Sequence, residues 1–283
     1  MSFNYEVAFS RNLGWVTAQE QQLLKYKKVA IAGAGGVGGS HLITLARLGI
    51  GKFSIADMDV FELANFNRQA GANMSTIGQS KVDVMEQVAL GINPDLAIVK
   101  FTDGVNESNL DAFLDEVDLY VDSLDFFAVK IRRKVFEACA EKGIPAITAA
   151  PLGMGSALLC FLPGKMTFEE YFRLEGQEEK EQLLRFFIGL TPAGLQMKYL
   201  VDSSTLDLAN HKGPSVPMSC EMCAGIANTN ALKILLGRGK VYAAPWGLHY
   251  DAYTNDLRKT WRRGGMNNPL LKLRLNVARK KLV

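Results

Sequence analysis

An α/β fold with a mostly parallel, doubly wound sheet and helices on both faces is predicted by three features of this sequence. Short runs rich in Val, Ile and Phe alternate with longer helical patterns, the helical patterns stop at glycines, and a glycine-rich turn separates the first run from the first helix. The candidate strands are "VAIAG" (29–33), "FSIAD" (53–57), "LAIVKF" (96–101), "LYVDS" (119–123) and "AITAA" (146–150). Between them, "GSHLITLARLG" (39–49) and "AVKIRRKVFEACAEKG" (128–143) have helical apolar spacing, and each ends at the residue best suited to a left-handed helix terminus. Residues 1–27 read as a helical arm. After "SALLCFLPG" (156–164) the rhythm changes: residues 165–218 carry the charged helical segment "TFEEYFRLEGQEEKEQLLRFF" and then the loop-like "DSSTLDLANHKGPSVP", together an inserted crossover segment. The pattern "SCEMCAGIANTNALKILLG" (219–237) returns to core character. A single nucleotide-binding domain spanning residues 1–283 is expected.

The composition is that of a soluble globular chain. It has 48% apolar and 22% charged residues, and no apolar run reaches the roughly 20 residues of a membrane-spanning helix. No secretory signal is visible at the N-terminus, so a cytoplasmic protein is expected. Four cysteines in 283 residues are no disulfide framework. The net charge of +3 conceals a basic C-terminal tail, residues 258–283, with nine Lys or Arg and no acid, which leaves 23 bases against 29 acids elsewhere. Such a tail binds nucleic acid, an acidic partner or an anionic surface, or is a solvated face packed on its own chain; the last reading is favoured.

"IAGAGGVGGS" places Gly33, Gly35 and Gly38 in G-x-G-x-x-G spacing, directly after a strand and before a helix. Glycines let backbone approach a phosphate, and the helix N-terminus supplies amide donors and a positive dipole. Asp57 ends the next strand, where a carboxylate meets ribose hydroxyls. The pattern points to a nucleotide without choosing between NAD and ATP. The choice comes from "ELANFNRQ" (62–69) and its surroundings. Asp57, Asp59, Asn65, Arg68, Gln69 and Lys81 are expected to gather at the carboxyl ends of adjacent strands, where open α/β sheets bind ligands. Arg68 and Lys81 offset triphosphate charge and stabilise a departing pyrophosphate. Asp125, after the fourth strand, offers a hard oxygen to Mg²⁺.

The ordered set G-x-G-G-x-G, D-x-D, N-x-x-R-Q, G-x-x-K and a later Asp after a strand resembles the ThiF/MoeB/HesA-type adenylyltransferases, relatives of ubiquitin-activating enzymes with a Rossmann-like fold. The resemblance covers residues 5–165 closely and the 219–237 helix loosely. It implies a homodimer that binds Mg-ATP and adenylates a carboxylate, often the C-terminus of a small ubiquitin-like protein or a peptide. By position it assigns Gly36 and its loop, Asn65, Arg68 and Lys81 to the phosphates, Asp57 to the ribose and Asp125 to Mg²⁺. It also gives Arg11 a reach into the neighbouring subunit's γ-phosphate.

The sequence departs from that pattern in three places. Residues 165–218 contain no cysteine to carry a thioester, so the reaction is expected to stop at adenylation or to hand the adenylate to an external nucleophile. Only one C-x-x-C pair, Cys220 and Cys223, is present, and no zinc is expected. Phe126 stands where the family usually has Asn after the metal-binding Asp. Alternatives are an enzyme like tRNA threonylcarbamoyladenosine dehydratase, with tRNA on the basic tail, an NAD-linked oxidoreductase, and a catalytically idle nucleotide-binding scaffold.

Overall fold

The computed structural model describes residues 2–191, 193–202, 205 and 213–282. Most of the expected loop at 202–217, with His211, lies outside the described residues. The chain divides into two compact units, Met1–Leu124 with Ala224–Val241, and Asp125–Cys223 with Tyr242–Val283.

In the first unit an arm with α1 (Tyr5–Ala8) and α2 (Ala18–Tyr26) precedes four strands, β1 (Lys28–Ala32), β2 (Lys52–Ala56), β3 (Ala97–Phe101) and β4 (Leu119–Asp122). All pair in parallel, in the order β3-β2-β1-β4. The crossovers carry α3 (Gly36–Leu48), α4 (Lys81–Ile92) and the short α5 (Leu110–Phe113). Strands covered on both faces need continuous apolar runs, and Val29 to Ala32 of β1 are all buried. At the other extreme β3, last in the order, leaves Val99 half exposed. Strand order reverses between β1 and β4, so the connections after these two strands diverge and open the crevice where such sheets bind ligands.

The arm serves α3. The final carbonyls of a helix have no partner within it. Tyr5 Oη donates to Gly49 O at 2.6 Å, Gln21 Nε2 to Leu48 O at 3.0 Å and Asn12 Nδ2 to Leu48 O at 3.3 Å. Gly49 closes α3 in the left-handed conformation, as its sequence predicts.

The second unit has β5 (Ala146–Leu152), β6 (Gly155–Phe161), β7 (Trp246–Asp251) and β8 (Asp256–Trp261), each antiparallel to the next. Its helices are α6 (Val129–Glu141), α7 (Phe168–Phe172), α8 (Glu179–Leu190) and α10 (Pro269–Leu282). A further helix, α9 (Pro217–Leu235), belongs to this unit up to Cys223 and to the first unit from Ala224. The segment expected as one charged helix is two, because Arg173 takes a left-handed φ of 53° after α7 and Gly176 follows at 68°. Phe136, Phe161, Phe168, Phe172 and Phe186 pack as an aromatic core, with Phe136 stacked on Phe168 at 4.4 Å. The basic tail is largely structural: residues 258–261 complete β8, and Leu271, Leu275 and Ala278 of α10 pack on Leu184 and Ile188 of α8. Arg279 Nε also bonds Glu181 Oε2 at 3.0 Å. Among the described residues no helix is long and apolar enough to cross a membrane.

One buried group gives the first unit an acid sensitivity. His41 of α3 is fully buried with neither ring nitrogen hydrogen-bonded, and burial lowers its pKa to about 4. The unfolded chain, near the ordinary value of about 6.5, therefore binds the proton first, and stability falls as pH drops from about 6.5 toward 4. The expected loss is about 3 kcal/mol across that window. Urea unfolding at pH 7 and pH 4.5 measures it. His41→Leu is expected to reduce the slope, the buried His249 with the same lowered pKa keeping the remainder, and an unchanged slope rules His41 out as a source.

Candidate functional site

The loop after β1 lies at the reversal of strand order. Gly33, at φ 92°, donates its amide to Ala56 O at 2.7 Å, and the next amide, Ala34 N, donates to Asp57 Oδ2 at 2.7 Å. A Cβ on Gly33 would fall 2.1 Å from Ser123 O, and one on Gly38 1.8 Å from Gly33 O. These two glycines are required by backbone packed on backbone: the loop folds on itself and against the chain leaving β4. Gly35 differs. A Cβ there would meet only the Gln69 amide, at 3.4 Å, so packing does not demand a glycine at this position. Gly35 is also the N-cap of α3 and no side chain caps it, while Gly36 begins the helix. Amide donors of an uncapped first turn are an anion site.

Two buried polar atoms border this loop without a hydrogen-bond partner, Gln69 Oε1 and Ser123 Oγ. Such orphans are rare in folded proteins and call for a ligand or water. Gln69 lies against Gly35 and Ser123 against Gly33 and Gly38, and each keeps capacity for a further hydrogen-bond partner. Ser123 escaped the sequence reading; its signal was its place directly after β4, in "YVDSLD".

Asp57 braces the loop. Its Oδ2 holds Ala34 and its Oδ1 accepts from Asp59 N at 2.9 Å. A carboxylate has about four acceptor sites, so capacity remains for a ribose hydroxyl. Asp59 pairs with Lys81: Nζ lies 2.8 Å from Asp59 Oδ2, with Lys81 buried and Asp59 exposed. The pair is set by the turn, since Lys81 N also bonds Asp59 O at 3.0 Å and Phe61 bridges Ile77. Asn65 is buried, and its Oδ1 accepts from Glu62 N at 3.0 Å, closing the 3-10 turn Leu63–Asn65. That turn carries Arg68, half-buried, whose Nη1 donates to Ala64 O at 3.0 Å and Asn67 Oδ1 at 2.9 Å. All its polar contacts are therefore local.

Arg11 is exposed on the 3-10 turn Ser10–Asn12 of the arm. Asp125 opens the second unit and is exposed; its Oδ1 accepts from Phe127 N at 2.9 Å, and its carbonyl takes Arg132 Nη2 at 3.0 Å. Among the described residues no three His, Cys, Asp or Glu side chains converge on a ready-made cage. Mg²⁺ requires none, because it keeps waters and takes one or two carboxylates plus substrate phosphates, and the exposed Asp125 fits that donor chemistry. None of the four cysteines forms a disulfide, all are buried, and burial pushes the Cys223 thiol up, so no exposed thiol is on offer.

The profile of the ThiF family matches residues 9–269. The chain belongs to the ThiF family. This ThiF-family chain is 34% identical over 150 residues to the tRNA threonylcarbamoyladenosine dehydratase of Bacillus subtilis, a match covering 53% of this chain and 57% of that protein. It is 31% identical over 141 residues to the molybdopterin-synthase adenylyltransferase of Escherichia coli, covering 50% and 56%. The chain thus spans a little over half the length of these curated relatives. In fold it is similar to the crystal structure of E. coli MccB with MccA-N7isoASN, at a TM-score of 0.69 and 20% identity over 92% of this chain and 72% of that one.

Proposed function

We propose that this ThiF-family chain is an ATP-dependent adenylyltransferase that activates a carboxylate, the C-terminus of a small ubiquitin-like protein or of a peptide, as an acyl adenylate. The observation that carries this reading is the uncapped, Gly35-bared loop at the β1/β4 reversal, bordered by orphaned Gln69 and followed in the same unit by Arg68 and Lys81. NAD would need the loop and Asp57 but neither cation.

The chemistry asks for positioning and charge stabilisation. A carboxylate oxygen, ionised at neutral pH, attacks the α-phosphorus in line; the bond to the β-phosphate's bridging oxygen breaks and pyrophosphate leaves. The loop amides hold the phosphates. Asn65, Arg68 and Lys81 face the charge that develops, Lys81 by sharing its proton donors between Asp59 and the nucleotide. Asp57 takes the ribose while it braces the loop. Mg²⁺, when bound at Asp125, supplies charge neutralisation on the phosphates. The reading includes a homodimer in which Arg11 serves the other copy, and a cytoplasmic setting, which four cysteines outside any disulfide support. The likeness to the B. subtilis dehydratase favours, as a second reading, adenylation of a carboxylate on tRNA; salt-sensitive tRNA binding separates the two.

Thermal unfolding in the presence of MgATP or NAD tests the nucleotide. A rise in Tm with MgATP and none with NAD is expected, since a ligand stabilises only the fold that binds it. The reverse pattern sinks the proposal. Exchange of labelled pyrophosphate into ATP, dependent on a small carrier protein or peptide, then separates the enzyme from an idle scaffold.

A further inference from the structure

We propose that Arg132 is a positioning residue that, clamped by Phe186, fixes the Asp125 carboxylate for Mg²⁺; the inference rests on the adenylation reading above. Arg132 stands on α6 and is buried, with 2% of its surface exposed. Its two terminal nitrogens reach neighbouring carbonyls, Nη2 to Asp125 O at 3.0 Å and Nη1 to Phe126 O at 3.3 Å. A planar guanidinium can grip two successive carbonyls where an ammonium offers a single point. The far side of the guanidinium lies on the Phe186 ring of α8, 4.5 Å from its centroid. Phe186 is itself buried and meets Phe126 at 5.4 Å, and Phe126 is flanked by Phe127 at 5.0 Å and Phe187 at 6.2 Å.

The result is an exposed carboxylate on an immobilised backbone. Asp125 projects from a turn tied by Ala128 N to Asp125 O at 3.0 Å and by Phe127 N to its own Oδ1. Arg132, Phe186 and Phe187 pack against that turn, Arg132 through the Asp125 and Phe126 carbonyls and the two rings through Phe126. Mg²⁺ demands near-octahedral geometry at about 2.0–2.1 Å, so a ligand that wanders by a few tenths of an ångström binds it poorly. The clamp also gives the α8 segment a task, since α8 carries the ring on which Arg132 rests, and it gives Phe126 one, as the wedge between turn and helix.

Calorimetric titration of the intact chain with ATP, once with Mg²⁺ and once with EDTA, reads the clamp without any acyl substrate. Wild type is expected to bind ATP more tightly with Mg²⁺, and Asp125→Asn to lose that gain. Arg132→Lys and Phe186→Leu are each expected to cut the gain about 10-fold while affinity in EDTA holds. If both keep the full gain while Asp125→Asn loses it, the clamp is overturned alone. Affinity lost equally with and without Mg²⁺ in both variants means a merely structural role, which also overturns it, as does a full gain in Asp125→Asn. Wild type that binds no ATP overturns the adenylation reading and the clamp together.

Discussion

Arg68→Ala is expected to lower pyrophosphate exchange about 100-fold or more, the usual consequence of removing a donor that faces developing charge in a dry site. The fold should not notice. Arg68 donates only to Ala64 and Asn67, within its own turn, and no other element leans on it. The urea midpoint of the variant is therefore expected to match wild type, and full exchange activity in a folded Arg68→Ala protein would falsify the assignment. Mixing it with Arg11→Ala is expected to restore activity at roughly a quarter of sites, because half the pairs are hybrids with one intact site. No recovery on mixing removes Arg11 from the reaction.

Gly38→Ala and Gly35→Ala are expected to fail in opposite ways. At Gly38 a methyl would sit 1.8 Å from Gly33 O, a backbone atom that cannot step aside. Overpacking of this kind costs about 3 kcal/mol, a large fraction of the stability of a marginally stable unit. At Gly35 the nearest atom is the Gln69 amide at 3.4 Å, and the loss of stability is about 1 kcal/mol or less. That methyl would instead occupy the space over the loop, so Gly35→Ala is expected to fold and to lose ATP. Urea unfolding and ATP titration of both variants check the pair. A Gly35→Ala protein with wild-type ATP affinity would place the nucleotide elsewhere.

This contrast shows what the sequence could carry. The G-x-G-x-x-G spacing marks the loop, but it does not say which glycines answer to the protein's own backbone and which to a ligand; that needs Ser123 O and the Gln69 amide in place. The parallel strands were legible because burial on both faces leaves unbroken apolar runs such as "VAIA". β7 and β8 were not: "WGLHYD" is short and broken by glycine, and "DLRKTW" reads first as part of a basic tail. The end of α7 rests on a left-handed arginine, a position for which sequence offers no glycine cue. The Asp59–Lys81 pair was hidden for a different reason. Its members are separated by 21 residues and meet only because the intervening turn folds back through the Phe61–Ile77 bridge. Arg132 was visible only as one more charge on an amphipathic helix.

The arm that caps α3 also measures a distance. Asn12, next to Arg11, bonds Leu48 O at the carboxyl end of α3, whereas the glycine loop opens the same helix at its amino end. Thirteen helical residues at 1.5 Å each put about 20 Å between those ends, well beyond the reach of one arginine side chain. Arg11 is thus barred from the phosphate loop of its own chain. A phosphate held at that loop therefore meets no Arg11 of the same chain.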